Sequence, residues 1–285
     1  MLSWRIGEVT VTRIVEMEIP IPWSEEHAFL KEATPEVLAG MPWLFPHFVT
    51  PEGAVILSFH ALLVQAPGLR VVVDTCIGND KPRKELGYEA LSTPFLQHML
   101  DAGWPPESVD AVVCTHLHVD HVGWNTRLQD GKWVPTFPNA RYLIGRREHE
   151  HWSAEGDDDQ QAILADSVKP IFDEGLADFV DMDHRLSPEV RLIPAPGHTP
   201  GHVCVMIESQ GESALITGDA LHHPCQMAHL DWCPSVDVDP TLSPKTRRNL
   251  LEGLADTPAL LIGTHFSGPT AGWVKRDGDA YRLEV

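Results

Sequence analysis

The chain is 285 residues long and carries 41 acidic against 21 basic residues, a formal net charge of −20 at pH 7. That balance excludes nucleic acid as a partner class, because affinity for phosphate backbones rests on Lys and Arg displacing counterions. Arg146-Arg147 is followed by Glu148 and Glu150, and Arg247-Arg248 stands alone on a helix face. No apolar run approaches the roughly 20 residues that cross a bilayer, so no membrane partner is expected.

Met1 to Glu8 lacks the basic and apolar regions of a secretory leader and enters an alternating strand, Gly7 to Glu16, so a cytoplasmic protein is expected. Residues 17–50 are irregular and aromatic, with Trp23, Met41, Trp43, Leu44, Phe45 and Phe48, and read as a lid, a dimer contact or simple surface packing. Strands follow at Ala54 to Gln65 and Leu69 to Asp74, with Pro67-Gly68 as their turn. Thr93-Pro94 reads as an N-cap with proline in the first turn, opening a helix through Ala102 that Gly103 ends. A strand over Asp110 to Cys114, a proline-rich loop at Pro135 to Pro138 and a strand at Arg141 to Ile144 come next. Gln160 to Glu174 is expected to be helical until Pro170 ends or kinks it. After His184 the pattern gives three strands, a helix from Ser243 to Leu254, the Ala259 strand and a hairpin around Asp277-Gly278-Asp279. Periodicity alone defines an α/β protein. The paired motifs of both halves and the lack of a linker make it one domain over 1–285.

Chemistry concentrates at the strand ends. His116, His118, Asp120 and His121 follow the Asp110 to Cys114 strand directly, and side chains two apart on an extended chain share a face, so His116 and His118 can grip one ion together. Three further apolar segments run into Gly197-His198-Thr199-Pro200-Gly201-His202, Gly218-Asp219-Ala220 and Gly263-Thr264-His265. If these four strand ends share one edge, five histidines and two aspartates meet there. Imidazole and carboxylate donors without thiolate suit zinc, and also manganese, iron, cobalt or nickel. The five cysteines (Cys76, Cys114, Cys204, Cys225, Cys233) are odd in number and free of Cys-x-x-Cys spacing, so a disulfide framework is not expected, although Cys225 and Cys233 could bridge.

His-x-His-x-Asp-His followed in order by Gly-His-Thr-Pro-Gly-His, Thr-Gly-Asp and Gly-Thr-His resembles the metallo-β-lactamase-fold hydrolases. The resemblance implies a four-layer αβ/βα sandwich with a dinuclear metal site at one edge of two sheets. It gives one metal to His116, His118 and His198, the other to Asp120, His121 and His265, and makes Asp219 the bridge. It further implies hydrolysis by a metal-bridging hydroxide, with Asp120 as ligand and proton carrier, so Asp120 and Asp219 are the expected catalytic residues. The chain lacks the Cys ligand of true β-lactamases. Its layout looks most like the branch of N-acyl homoserine lactonases, arylesterases and methyl-parathion-type hydrolases, which implies a neutral lactone or ester substrate, with phosphotriesters as a side activity, and a homodimer. The tyrosine that such lactonases place near the metals is not found, since Tyr88, Tyr142 and Tyr281 lie outside the motifs. Trp124, His222, His223 and Phe48 are the expected substrate contacts, with core or loop packing as the competing role. A glyoxalase-II-like thioesterase and a non-catalytic metal-binding scaffold are the alternatives.

Overall fold

The computed structural model describes residues 1–84 and 87–285. Its strands are β1 (Ser3–Ile6), β2 (Val9–Ile21), β3 (Val55–Ala66), β4 (Leu69–Val73), β5 (Ala111–Cys114), β6 (Thr126–Gln129), β7 (Lys132–Pro135), β8 (Arg141–Gly145), β9 (Ala177–Val180), β10 (Val190–Pro194), β11 (Val203–Ser209), β12 (Glu212–Ile216), β13 (Leu260–Ile262), β14 (Ala271–Asp277) and β15 (Ala280–Glu284). Its helices are α1 (Pro35–Ala39), α2 (Phe95–Asp101), α3 (Val119–Val122), α4 (Arg146–Glu155), α5 (Asp158–Ile163), α6 (Lys169–Asp173), α7 (Cys225–Ala228) and α8 (Ser243–Leu254).

Two mixed sheets form, in the order β1-β2-β3-β4-β5-β8-β9 and β10-β11-β12-β13-β14-β15, while β6 and β7 make a separate hairpin. Period-2 alternation explains the layering. In β4 and β5, Val71, Val73 and Val113 face the second sheet's Val205, Ile207 and Ile216, while Val72 and Val112 face outward onto Phe95, Met99 and Ile171. The outer face of the second sheet is covered by α7, α8 and the segment around Leu30 to Val49. The result is the expected helix, sheet, sheet, helix sandwich. Among the described residues, no helix is long and apolar enough to cross a membrane.

That third cluster corrects the lid expectation for 41–48. Met41, Leu44 and Phe48 are buried and pack with Leu251, Phe266 and Leu283, so this stretch belongs to the core. The helix expected at Gln160 to Glu174 is also modified. It runs as α5, a π turn over Leu164–Val168 and then α6, with Pro170 in the first turn of α6. Proline removes one backbone donor and crowds the carbonyl four residues back. That carbonyl, on Asp166, instead accepts from Thr126 Oγ1 at 2.6 Å and Lys81 Nζ at 3.4 Å. Thr93 likewise does not cap α2. Its backbone N–H and hydroxyl both bond to Asn79 Oδ1.

Lys81 is fully buried, 3.6 Å from Asp166 and 3.7 Å from the centre of the Trp133 ring. Burial lowers its pKa to about 7, against the pull of Asp166, with Arg83 lowering it further and Asp80 raising it. At Lys81 the unfolded chain therefore binds more protons than the folded one between about pH 7 and the ordinary lysine value of 10.5, so this residue's contribution to stability rises with pH over that window. The thiols of Cys76, Cys114, Cys204 and Cys225, pushed up by burial, pull the other way near their ordinary value of 9. In chelator-treated protein, Lys81 should add up to about 1 kcal/mol per pH unit to the slope of urea-unfolding stability between pH 7 and 9, on top of the contribution of the other groups. Lys81→Met should remove it; equal slopes in both proteins would refute this reading.

Candidate metal centre

Each motif sits where a strand hands over to a turn. β5 ends at Cys114, and His118, with extended ψ of 163°, directly precedes α3, which carries Asp120 and His121. His198 follows β10, Asp219 follows β12 and His265 follows β13. Gly218 lies at φ +50°, and a Cβ there would stand 2.4 Å from His202 Nε2, so a side chain would collide with the ring that holds this turn. That ring donates from Nδ1 to Ala195 O and accepts the Asp219 N–H at 2.8 Å. His202 thus orients backbone, and burial drops its pKa to about 3.

All seven expected ligand residues converge. His116 Nε2, His118 Nδ1 and His198 Nε2 lie 2.9 to 3.2 Å from one another. His265 Nε2 is 3.3 Å from His121 Nε2 and 3.4 Å from Asp120 Oδ2. Asp219 faces both groups, with Oδ2 3.3 Å from both His198 Nε2 and His121 Nε2 and Oδ1 3.1 Å from His265 Nε2.

The outer ring nitrogens show why this is an ion site. His121 Nδ1–H donates to Asp74 at 2.9 Å, His198 Nδ1–H to Asp237 at 2.8 Å and His265 Nδ1–H to Ser58 O at 3.0 Å. Thr115 spends its hydroxyl hydrogen on Asp74, so it accepts from His116 Nδ1. With the outer nitrogens as donors, the inner nitrogens of His116 and His198 present lone pairs to each other, while those of His121 and His265 lie against the Asp219 carboxylate. Such an arrangement is satisfied by a cation, and tetrahedral zinc with bonds of about 2.0–2.1 Å would space its ligands roughly 3.3 Å apart. Asp219 Oδ1, buried and without a hydrogen-bond donor, points the same way. The donor set therefore fits divalent ions.

Electrostatics agree. Burial, then neighbouring imidazoles, hold His116 and His118 well below the ordinary histidine value. Burial pushes Asp219 up, but His121, His265, His222 and His116 outweigh it and keep the carboxyl well below its usual range. His121 shows the converse: burial opposes its charge, and Asp219, Asp120 and Asp74 raise it well above 6.5.

Above this floor opens a cavity of ≈ 460 Å³. Its walls include Phe29, Leu57, Phe59 and Ile163, and its lining holds Asp120, Asp219, His222 and His265. Of the expected substrate contacts, only His222 is on the wall. Its Nε2 lies 3.1 Å from Asp219 Oδ2, and neither ring nitrogen has a hydrogen-bond partner. Trp124 is instead buried, stacked on Phe95 and donating to Glu16 Oε1 at 2.6 Å. His223 donates to Phe48 O at 2.8 Å, and Phe48 packs edge-on against Phe266, so both are interior braces.

Tyr88 reverses the expectation that no tyrosine approaches the metal residues. It forms cavity wall beside Phe59, and burial, then Asp120, pushes its hydroxyl up to about 12, which keeps it a neutral donor. Sequence reading missed it because the long connection after β4 carries no periodic signal. Asp237 was missed for the same reason, although an aspartate between two prolines in a turn-rich stretch is a signal that could have been weighed. All five cysteines are free, so Cys225 and Cys233 do not bridge.

Fold and site together define a metal-dependent α/β hydrolase scaffold, with a metal-ligating cluster of histidines and aspartates at the strand ends. The family model described as metallo-beta-lactamase superfamily matches residues 60–266, and the chain belongs to that superfamily. Among curated relatives, it is 28% identical over 163 residues to an N-acyl homoserine lactonase of Bacillus thuringiensis, covering 56% of this chain and 58% of the relative. A probable metallo-hydrolase of Mycobacterium tuberculosis is 28% identical over 193 residues, 59% of this chain and 58% of the relative. The matches thus span somewhat over half of either protein. Among solved structures, AidC, a dizinc quorum-quenching lactonase, superposes with a TM-score of 0.81 at 22% identity, over 99% of this chain and 96% of that one. The hydrolase AbOPH of the beta lactamase superfamily follows at 0.80 and 21%, over 99% and 95%.

Proposed function

We propose that this chain is a dinuclear-metal hydrolase of neutral lactones or carboxylic esters. The observation that carries the reading is the outward turning of the ligand protons around Asp219, at the floor of a cavity with apolar walls. His116, His118 and His198 would hold one ion, Asp120, His121 and His265 the other, and Asp219 both. Zinc is the ion these donors favour. Divalent ions so bound would supply an activated water near neutral pH and Lewis acidity at the scissile carbonyl.

The remaining work belongs to the chain. Phe29, Phe59, Leu57 and Ile163 exclude water and bind an acyl chain by burying it. Asp120, on the cavity wall, would take the proton released as the attacking water adds to the carbonyl and pass it to the departing alkoxide oxygen. His222 offers an imidazole nitrogen, and Tyr88 a neutral hydroxyl, to the carbonyl or amide of the substrate. Among the described residues, no lysine or arginine lines the cavity, so a substrate with its own carboxylates, such as a glutathione thioester, has no side-chain counter-charge there. The Bacillus relative and AidC, both lactonases, support the lactone end of this range.

The test is a rate panel on zinc- and manganese-loaded protein with γ- and δ-lactones, acyl-homoserine lactones, p-nitrophenyl esters, phosphotriesters and lactoylglutathione, beside a chelated control. Chelator-sensitive turnover of lactones or aryl esters is expected. Turnover of lactoylglutathione alone would replace this reading with a thioesterase, and no turnover at all would leave a metal-binding scaffold.

Phe29 gives a sharper check of the acyl wall. Phe29→Ala should raise KM for an eight-carbon acyl substrate roughly tenfold, since lost apolar contact of about 50 Å² is worth ~1.4 kcal/mol, while leaving kcat within about twofold. An equal loss on acetyl esters would mean that Phe29 is not an acyl contact.

A further inference from the structure

The superfamily motifs do not include Glu148, and its sequence context, between Arg147 and His149 on a charged stretch, reads as solvent-facing. The structure buries it. Its carboxylate sits on α4 and accepts four hydrogen bonds from two different loops and its own helix. Oε1 takes the backbone N–H of Leu117 at 3.3 Å and the indole N–H of Trp152 at 2.6 Å. Oε2 takes the hydroxyl of Thr199 at 2.8 Å and the backbone N–H of Gly201 at 2.9 Å.

The identity of those donors gives the contacts a purpose. Leu117 stands between His116 and His118, and Thr199 follows His198 directly. Glu148 therefore ties together the two loops that supply the three imidazoles of one proposed ion site, and among the described residues its side-chain hydrogen bonds reach neither the Asp219 nor the His265 loop. Close packing enforces the tie, because a Cβ on Gly201 would stand 2.4 Å from the Glu148 backbone nitrogen. The third partner, Trp152, lies 5.2 Å from the His118 ring, ring centre to ring centre, and is part of the cavity wall. One carboxylate thus sets the separation of two ligand loops and the pose of a wall residue.

We propose that Glu148 is a positioning residue for the His116, His118 and His198 site, fixing its affinity for a divalent ion without itself binding the ion. This rests on the dinuclear reading above. Groups that orient ligands from behind are typically worth 10–100-fold in metal affinity, since an imidazole held in place loses no further freedom on binding.

The measurement is competition of zinc between the protein and a chromogenic chelator, for wild type, Glu148→Gln, Glu148→Ala and His198→Ala, with urea unfolding of each metal-free protein alongside. Wild type should release zinc in two steps, and His198→Ala should identify the step that belongs to the triad. Glu148→Ala should weaken that same step 10–100-fold and leave the other within about threefold. Glu148→Gln, which keeps the shape and can still accept from one loop, should fall between the two. Trp152→Phe, losing one donor but neither loop, should stay within about threefold on both steps. Unchanged zinc release in folded Glu148 variants would overturn the proposal, as would equal weakening of both steps in proportion to a loss of metal-free stability. Wild type that binds no zinc would instead overturn the dinuclear reading.

Discussion

Asp219→Ala is expected to lower bound zinc from two ions per chain to one or fewer and to cut kcat/KM by roughly 10³-fold or more, on the scale of removing a centre of transition-state charge stabilisation. The reason lies in position. Among the described residues, Asp219 is the one carboxylate within 3.3 Å of imidazoles from both ligand groups. Without it, the seven proposed ligands would become two separate sets of three, each an incomplete shell. Asp219→Asn keeps the shape and loses the charge, so it separates the two contributions and should sit closer to Ala than to wild type. Metal analysis and initial rates on the same preparations decide the matter. Two retained ions with full activity would remove Asp219 from the site.

The same variant has a signature in metal-free protein. Asp219 is held well below its ordinary value of 3.8 and His121 well above 6.5, so each partner stabilises the other's charged form. A depressed carboxyl contributes above its unfolded value and loses that contribution as pH falls. A raised histidine contributes fully below its unfolded value and loses that as pH rises through the folded one. Their joint contribution is therefore complete between about pH 3.8 and 6.5, and Asp219→Ala should flatten the pH dependence of stability at both edges of that window.

How much of this was readable beforehand depends on the range of the interaction. The ligands were legible because each motif directly follows an apolar strand, and a strand end fixes where the next two or three side chains can go. The two-faced burial of β4 and β5 was legible in their unbroken valine runs. What stayed hidden depends on what the chain meets far along its sequence. Glu148 and Glu150 look alike in sequence, yet only Glu148 faces the ligand loops. Met41 to Phe48 is as aromatic as a lid, and nothing local states that the second sheet's outer face is bare without it. Tyr88 enters the cavity from a connection with no period at all. The π turn required knowing that Thr126 and Lys81 would be waiting for the carbonyl that Pro170 displaces.

Arg247 is the strongest case of this kind. The sequence shows Arg247-Arg248 only as a pair standing alone on a helix face, but the two residues point apart, as neighbours on a helix must. Arg247 is fully buried. Its Nε donates to Ala220 O at 3.0 Å, and one terminal nitrogen donates to Leu230 O at 2.6 Å and Trp232 O at 2.9 Å. The other terminal nitrogen lies 4.0 Å from Asp237 Oδ2, whose second oxygen holds His198 Nδ1. One guanidinium thus closes the loop after Asp219 onto α8 and balances the carboxylate behind a ligand histidine. Arg247→Ala would leave the Ala220 and Leu230 carbonyls without their side-chain donor, Trp232 O with only Gln226 Nε2, an unbalanced buried carboxylate and a void. Such losses cost about 3–5 kcal/mol, and at ~2–4 °C per kcal/mol for a chain of this size the melting temperature should fall by roughly 6–20 °C. Arg247→Lys keeps the charge but cannot span three carbonyls, so about half the loss should remain. Arg248→Ala, one residue away, should change stability by no more than about 0.5 kcal/mol. If urea unfolding finds Arg247→Ala within 1 kcal/mol of wild type, the carbonyl contacts do not carry the stability assigned to them. A fall in stability with zinc binding unchanged would separate Arg247's role in the fold from any role behind His198.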